Sequence, residues 1–207
     1  MSATEAGRAP VGAPMLIDGL LPRHDALRIE HRVVAGGLDT VYAAVEQADF
    51  MRAWRESAAV RTLFAARSLG ERAVAAAARR RHVEPTPPAA MRLADMPSHG
   101  DWVRLGENPP FEIAFGAIGR FWSGETVWEQ IDAADFASFA APGFAKIACC
   151  FSLRSYGTAR TLVSYDCRTL ATDAAARDAF LRYWRPLSPF IGVVLRAQLG
   201  VVAADCR

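Results

Sequence analysis

Residues 172–204 read TDAAARDAFLRYWRPLSPFIGVVLRAQLGVVAA, and the reading of this run decides the fold. Phe180, Trp184, Leu187, Ile191, Val194, Leu195, Leu199 and Val202 recur at helical spacing and form one broad apolar stripe. Thr172 or Asp173 is placed to cap the helix. Pro186 and Pro189 lie inside it, so the helix is expected to bend or restart there, with Ser188 and Pro189 fitting a fresh cap and first position. Taken whole, such a helix extends ~45 Å at 1.5 Å per residue.

Working back from this helix, the chain reads as strands. Ala145, Ile147, Cys149, Phe151 and Leu153 alternate with Lys146, Ala148, Cys150, Ser152 and Arg154, between turns at Pro142-Gly143 and Tyr156-Gly157. A partner strand over about 160–170 puts Val163, Tyr165 and Cys167 on one side and Ser164, Asp166 and Arg168 on the other. Leu162 and Leu170 lie with the polar set, which leaves its inward side open. Residues 102–107 and 111–122 read as a hairpin across Asn108-Pro109-Pro110, with Ile113, Phe115, Ala117, Gly119 and Phe121 on an apolar face opposite Glu112 and Arg120. Trp128 to Ile131 adds a short strand. Nearer the N-terminus, Leu27, Ile29, His31 and Val33 share one strand face and Arg28, Glu30 and Arg32 the other, so the first set is expected to face the core. After Gly36-Gly37, Leu38, Val41, Tyr42 and Val45 mark a helix to about Ala48, followed by a second helical stretch to about Phe64. The Ala-rich run 69–82 reads as a third helix, closed by Arg79 to Arg81 and then Pro85, Pro87 and Pro88. Residues 1–24 carry no sustained periodicity and are taken as a tail or surface arm, with 25–207 as a single domain. Strand, paired helices, antiparallel strands and a final long helix is an α+β order, distinct from the alternation of a parallel-sheet enzyme.

At 207 residues the chain suits one domain, and 52% hydrophobic with 22% charged residues is the composition of a folding chain, far from intrinsic disorder. A formal net charge of +2, with both signs mixed along the chain, implies no dedicated polyanion surface, so nucleic acid is not an expected partner. Lys146 is the one lysine. The N-terminus lacks a signal-peptide pattern, and the apolar stretch 186–204 is interrupted by Arg196 and Gln198, so no membrane span is read and a cytoplasmic location is expected. The four cysteines show no C-x-x-C pair and no metal-ligand spacing to histidine, so no metal and no cofactor are expected.

Several stretches carry a family likeness: GDWVRLGE at 100–107, EIAFGAIGRFW at 112–122, PGFAKI at 142–147, Asp166-Cys167-Arg168, and FLRYW at 180–184. With the order of elements, they make residues 26–204 resemble an uncharacterised bacterial branch of the START-like, or Bet v 1-like, helix-grip superfamily (SRPBCC), which includes polyketide cyclases and lipid-transfer proteins. The resemblance implies a curved antiparallel sheet wrapped around the proline-bent C-terminal helix, with short helices after the first strand and an apolar pocket between sheet and helix. It supplies no catalytic set, and the prolines depart from the smooth helix of other members.

The candidate pocket residues are His31, Phe115, Phe121, Cys149, Phe151, Tyr165 and Trp184. The aromatic rings either line a ligand cavity or fill the core. His31, a polar group on an apolar face, is either a ligand contact or a hydrogen-bonded core histidine. Cys149 reads as a buried small hydrophobe, because no nearby histidine supplies an activated thiolate. Glu112 with Arg120, or Asp166 with Arg168, reads as cross-strand charge pairing before an acid–base set. Gly116 and Gly119 sit within a strand and mark a bend or bulge. Three functions fit: binding of a small hydrophobic or amphipathic molecule; a cyclase- or dehydratase-like enzyme in the same pocket with His31 as acid or base; and a protein-interaction module with a collapsed pocket and exposed aromatics such as Trp54 and Trp128.

Overall fold

The structure, a computed structural model, describes residues 14–62, 65, 90–122 and 126–206. In chain order the elements are α1 (Leu16–Leu20), β1 (Ala26–Ala35), α2 (Leu38–Gln47), α3 (Met51–Glu56), β2 (His99–Gly100), β3 (Trp102–Asn108), β4 (Glu112–Arg120), β5 (Val127–Glu129), β6 (Ile131–Asp132), β7 (Ala145–Ser155), β8 (Arg160–Ala171) and α4 (Ala174–Asp205). The main sheet is antiparallel in the order β1-β8-β7-β4-β3, with β5 also paired to β4, while β2 and β6 form a separate small ribbon. The long helix α4 crosses β1 and touches α3, which is the helix-grip arrangement of a mixed α+β fold. The Ala-rich run 69–82 and its arginines lie outside the described residues.

Asp173 is the cap of α4: its Oδ1 accepts from Ala176 N at 2.9 Å, and its Oδ2 accepts from Gly143 N at 2.5 Å, tying the helix start to the turn before β7. The helix continues through Pro186 and Pro189 with no new cap, so it does not restart. Each proline removes one backbone donor, a loss tolerated where the surrounding residues are solvent-facing. By length and composition α4 could cross a membrane, yet Leu195, Leu199, Val201 and Val202 are buried within the domain.

Both faces of the sheet are covered over β3, β4 and β7, which a half-buried strand pattern does not anticipate. The inner core joins Ile113, Phe115, Phe151, Val163 and Tyr165 to α2, Phe50, Leu195 and Leu199. On the outer face a second cluster gathers Ile17, Leu21, Val103, Ala114, Ile118, Phe136, Ala148 and Cys150. The segment read as a tail or surface arm thus supplies Ile17 and Leu21 to that cluster, each burying an aliphatic side chain worth about 1.5–3 kcal/mol. Arg168 clasps α1, donating to Asp166 Oδ2 at 3.0 Å, to the Leu21 carbonyl at 3.3 Å and reaching Asp18 Oδ1 at 2.8 Å. Glu112 Oε2 accepts from Leu16 N at 3.4 Å.

The polarity of β1 is reversed from expectation. Leu27, Ile29 and Val33 are about 40% exposed, whereas Arg28, Glu30 and Arg32 turn toward α4 with Ala26 and Val34. The reason is the helix that lies over them. Gly192 is buried, and a Cβ there would stand 2.5 Å from Arg28 Nη2 and 2.6 Å from Glu30 Oε1, so its bare backbone makes room for charged side chains. Glu30 Oε1 accepts from Arg28 Nη2 and from Arg196 Nη1, both at 2.8 Å, so the arginine that interrupts the apolar stripe pins α4 to β1. Burial opposes ionisation of Glu30, but the hydrogen bonds and charges of Arg196 and Arg28 outweigh it and hold the carboxyl below its usual range.

Candidate functional site

The inner face of β4 is a lane of alternating positions: Phe115, Ala117, Gly119 and, just past the strand, Phe121. Small residues at the middle of this lane leave a trough into which rings from neighbouring strands fold. Trp102 stands opposite Ala117, and Trp128 stands opposite Gly119. A Cβ on Gly119 would lie 2.5 Å from Trp128 Cε3, so glycine is what lets the indole lie over the strand. The bend or bulge expected at this position is instead a seat for a ring.

The result is a continuous chain of ring contacts. Tyr165 stacks on Phe151 at 4.1 Å, Phe151 on Phe115 at 6.2 Å, and Phe115 meets Trp102 at 6.0 Å. Trp102 meets Trp128 at 5.6 Å, Trp128 meets Phe121 at 5.9 Å, and Phe121 meets Phe180 of α4 at 5.9 Å. Phe180 then touches Trp184 at 5.7 Å. Such pairings contribute about 0.5–1.5 kcal/mol each beyond their buried area.

The two ends of this chain differ. Phe115, Cys149, Phe151 and Tyr165 are buried and packed against one another, with Phe50 from the α2–α3 turn stacked on Phe151 at 5.4 Å. These candidates come together as core, with side chains occupying the space assigned to a ligand. Cys149 Sγ lies 3.3 Å from Cys167 Sγ, and that contact together with burial pushes the Cys149 thiol well up, which keeps it protonated and non-nucleophilic. Phe121 and Trp184 belong to the other end, where Trp102, Trp122, Trp128 and Tyr183 are also only partly buried. There the rings are partly buried between β4, β5 and the first half of α4.

His31 joins neither group. It is exposed on the outer side of β1, its Nδ1 2.8 Å from Ser164 Oγ, with the sheet between it and α4. The reversed polarity of β1 places it there, and it has no route to an inner pocket. Glu112 and Arg120 do not act together either, since Glu112 lies under α1 and Arg120 sits over the Phe144 ring at 5.6 Å. Asp166 pairs with Arg168 under α1, where burial raises its carboxyl above the usual range. Trp54 is partly buried against the inner core, and Trp128 is engaged in the ring chain.

One group of polar side chains escaped the sequence reading. Between Arg104 and Gly106 the β3–β4 register shifts, so Leu105 and Gly106 both face outward and Arg104 and Glu107 both face inward. Arg104 Nη2 donates to Glu46 Oε1 at 2.8 Å and also to Glu107 Oε2, which accepts in turn from the Tyr42 hydroxyl at 3.3 Å. Burial, reinforced by the Glu107 and Glu46 charges, pushes the Tyr42 hydroxyl up to about 12, so it is a donor at neutral pH. Arg104 Nε is buried and has no hydrogen-bond partner among the described residues. The one available signal was Trp102 and Arg104 sharing a strand face; the bulge that adds Glu107 leaves no mark in an alternation pattern. Among the described residues no cluster of His, Cys, Asp and Glu is arranged to hold a metal ion.

No protein-family model and no curated protein matches the chain. Three solved structures are similar in shape. A conserved protein from Geobacillus kaustophilus aligns over 87% of this chain and 95% of its own, at 8% identity and a TM-score of 0.39. A hypothetical protein from Helicobacter pylori aligns over 100% and 99%, at 11% identity and 0.40. An aromatase/cyclase from Streptomyces sp. R1128 aligns over 88% and 96%, at 14% identity and 0.31. Those values transfer neither a function nor a site residue.

Proposed function

We propose that this chain binds a small amphipathic molecule on the inner face of its sheet, between β3, β4, β5 and the first half of α4. The partly buried rings of Trp102, Phe121, Trp128 and Trp184 take the hydrocarbon part, and Arg104 orients an oxygen-bearing end. The observation that carries this reading is the buried Nε of Arg104, without a hydrogen-bond partner among the described residues, on a side chain that stands opposite Phe115 and two residues from Trp102 on the same strand face. A buried donor without an acceptor costs about 1–3 kcal/mol, a cost a ligand oxygen removes. On this reading the chain is a soluble cytoplasmic member of the START-like superfamily, a carrier or sensor in place of an enzyme. The cyclase-like alternative loses its proposed acid–base group with His31 on the far side of the sheet.

Native mass spectrometry of the freshly purified protein tests the proposal. The expected result is a non-covalent adduct of a few hundred daltons that dissociates on denaturation and is depleted in Trp128→Ala. A bare protein mass, or an adduct retained equally by Trp128→Ala, would refute it.

A further inference from the structure

On the opposite side of the sheet, a groove of about 730 Å³ opens between the segment before β1, the end of β8 and the start of α4. That volume suits a small organic ligand. Arg23, His24, Lys146 and Arg177 contribute its basic groups, and Phe139 and Leu170 contribute apolar wall. Two carboxylates also line it, but each is already committed. Asp25 receives Arg177 Nε at 2.6 Å and Ala171 N at 3.0 Å, and Asp173 caps α4 and holds Gly143 N. Arg23 and Lys146 therefore stand uncompensated: neither meets a carboxylate among the described residues.

Lys146 is the more telling of the two. It is the one lysine of the chain and is only 8% exposed. Its Nζ donates to the Ala137 carbonyl at 2.9 Å and lies 5.9 Å from the Phe136 ring centroid. A carbonyl and a ring face solvate an ammonium poorly, and two of its three N–H donors remain without a partner among the described residues. Burial accordingly lowers its proton affinity. A buried cation persists at low cost when an anion reaches it.

We propose that this groove is a second binding site, for a small amphipathic carboxylate whose acid group lies between Lys146 and Arg23 and whose hydrocarbon part rests on Phe139 and Leu170. The site shares no residue with the aromatic trough, and the two proposals stand or fall separately.

Calorimetric titration of the full chain with sodium octanoate, with 1-octanol as the uncharged control, tests this. The expected result is octanoate binding that weakens at least tenfold in Arg23→Gln and in Lys146→Met and is unchanged in Trp128→Ala. Arg23 is solvent-exposed, so its substitution leaves the fold intact and decides the matter if Lys146→Met fails to fold. Octanoate affinity unaltered by Arg23→Gln, octanol binding as tight as octanoate, or no octanoate binding at all would overturn the assignment.

Discussion

Replacing Gly119 by alanine isolates the contact on which the aromatic trough depends. The new Cβ would stand 2.5 Å from Trp128 Cε3, 2.9 Å from its Cζ3 and 2.9 Å from the Val127 carbonyl oxygen. Carbon atoms pack at about 3.5–4.0 Å, so the indole must retreat by roughly 1 Å or more. β5 pairs with β4 over only three residues, and a shift there costs less than distorting β4. The retreat breaks the Trp102 and Phe121 ring contacts at 5.6 and 5.9 Å, together about 1–3 kcal/mol. Against this, alanine restricts the unfolded chain and recovers roughly 0.5–1 kcal/mol. The net expectation is a loss of about 0.5–2 kcal/mol, read by urea denaturation and accompanied by a red shift in tryptophan emission. In a Trp128→Ala background only the Val127 carbonyl oxygen still crowds the new Cβ, so the same substitution should cost less, by about the two ring contacts no longer at stake. An equal cost in both backgrounds would show that the ring is not what Gly119 accommodates.

Two further substitutions probe the outer cover and the helix clasp. Ile17→Ala should cost about 2–4 kcal/mol in denaturant unfolding, because a fully buried side chain is removed from under α1; a change below about 0.5 kcal/mol would mean that α1 is not docked on the sheet. Glu30→Gln should cost about 1 kcal/mol at neutral pH, after discounting for the partial exposure of Arg28 and Arg196. Because the folded-state pKa of Glu30 is depressed, its contribution is present above the ordinary value near 4.5 and disappears as pH falls through the depressed one. The stability gap between wild type and Glu30→Gln should therefore close in acid, and a gap independent of pH would refute the charge pairing.

The sequence by itself determined the elements whose apolar residues repeat at a period belonging to one conformation. The stripe from Phe180 to Val202 is a helix whatever it packs against, and its Asp173 cap is a local bond. Alternation along 113–121 and 145–153 likewise placed Phe115, Phe151 and their neighbours on one inner face. Tertiary structure alone decided what covers each face and where the alternation breaks. β1 offered an aliphatic side and a charged side; Gly192 and Arg196, more than 160 positions away, drew the charged side inward and left His31 outside. Lys146 and Cys150 are buried because α1 and the 136–144 segment cover the outer sheet, a contact no strand pattern encodes. The Arg104–Glu107 cluster exists because one extra residue in β3 turns two side chains to the same face. Periodicity is a property of the local backbone and can be read along the chain, whereas burial and charge pairing depend on which distant surface arrives.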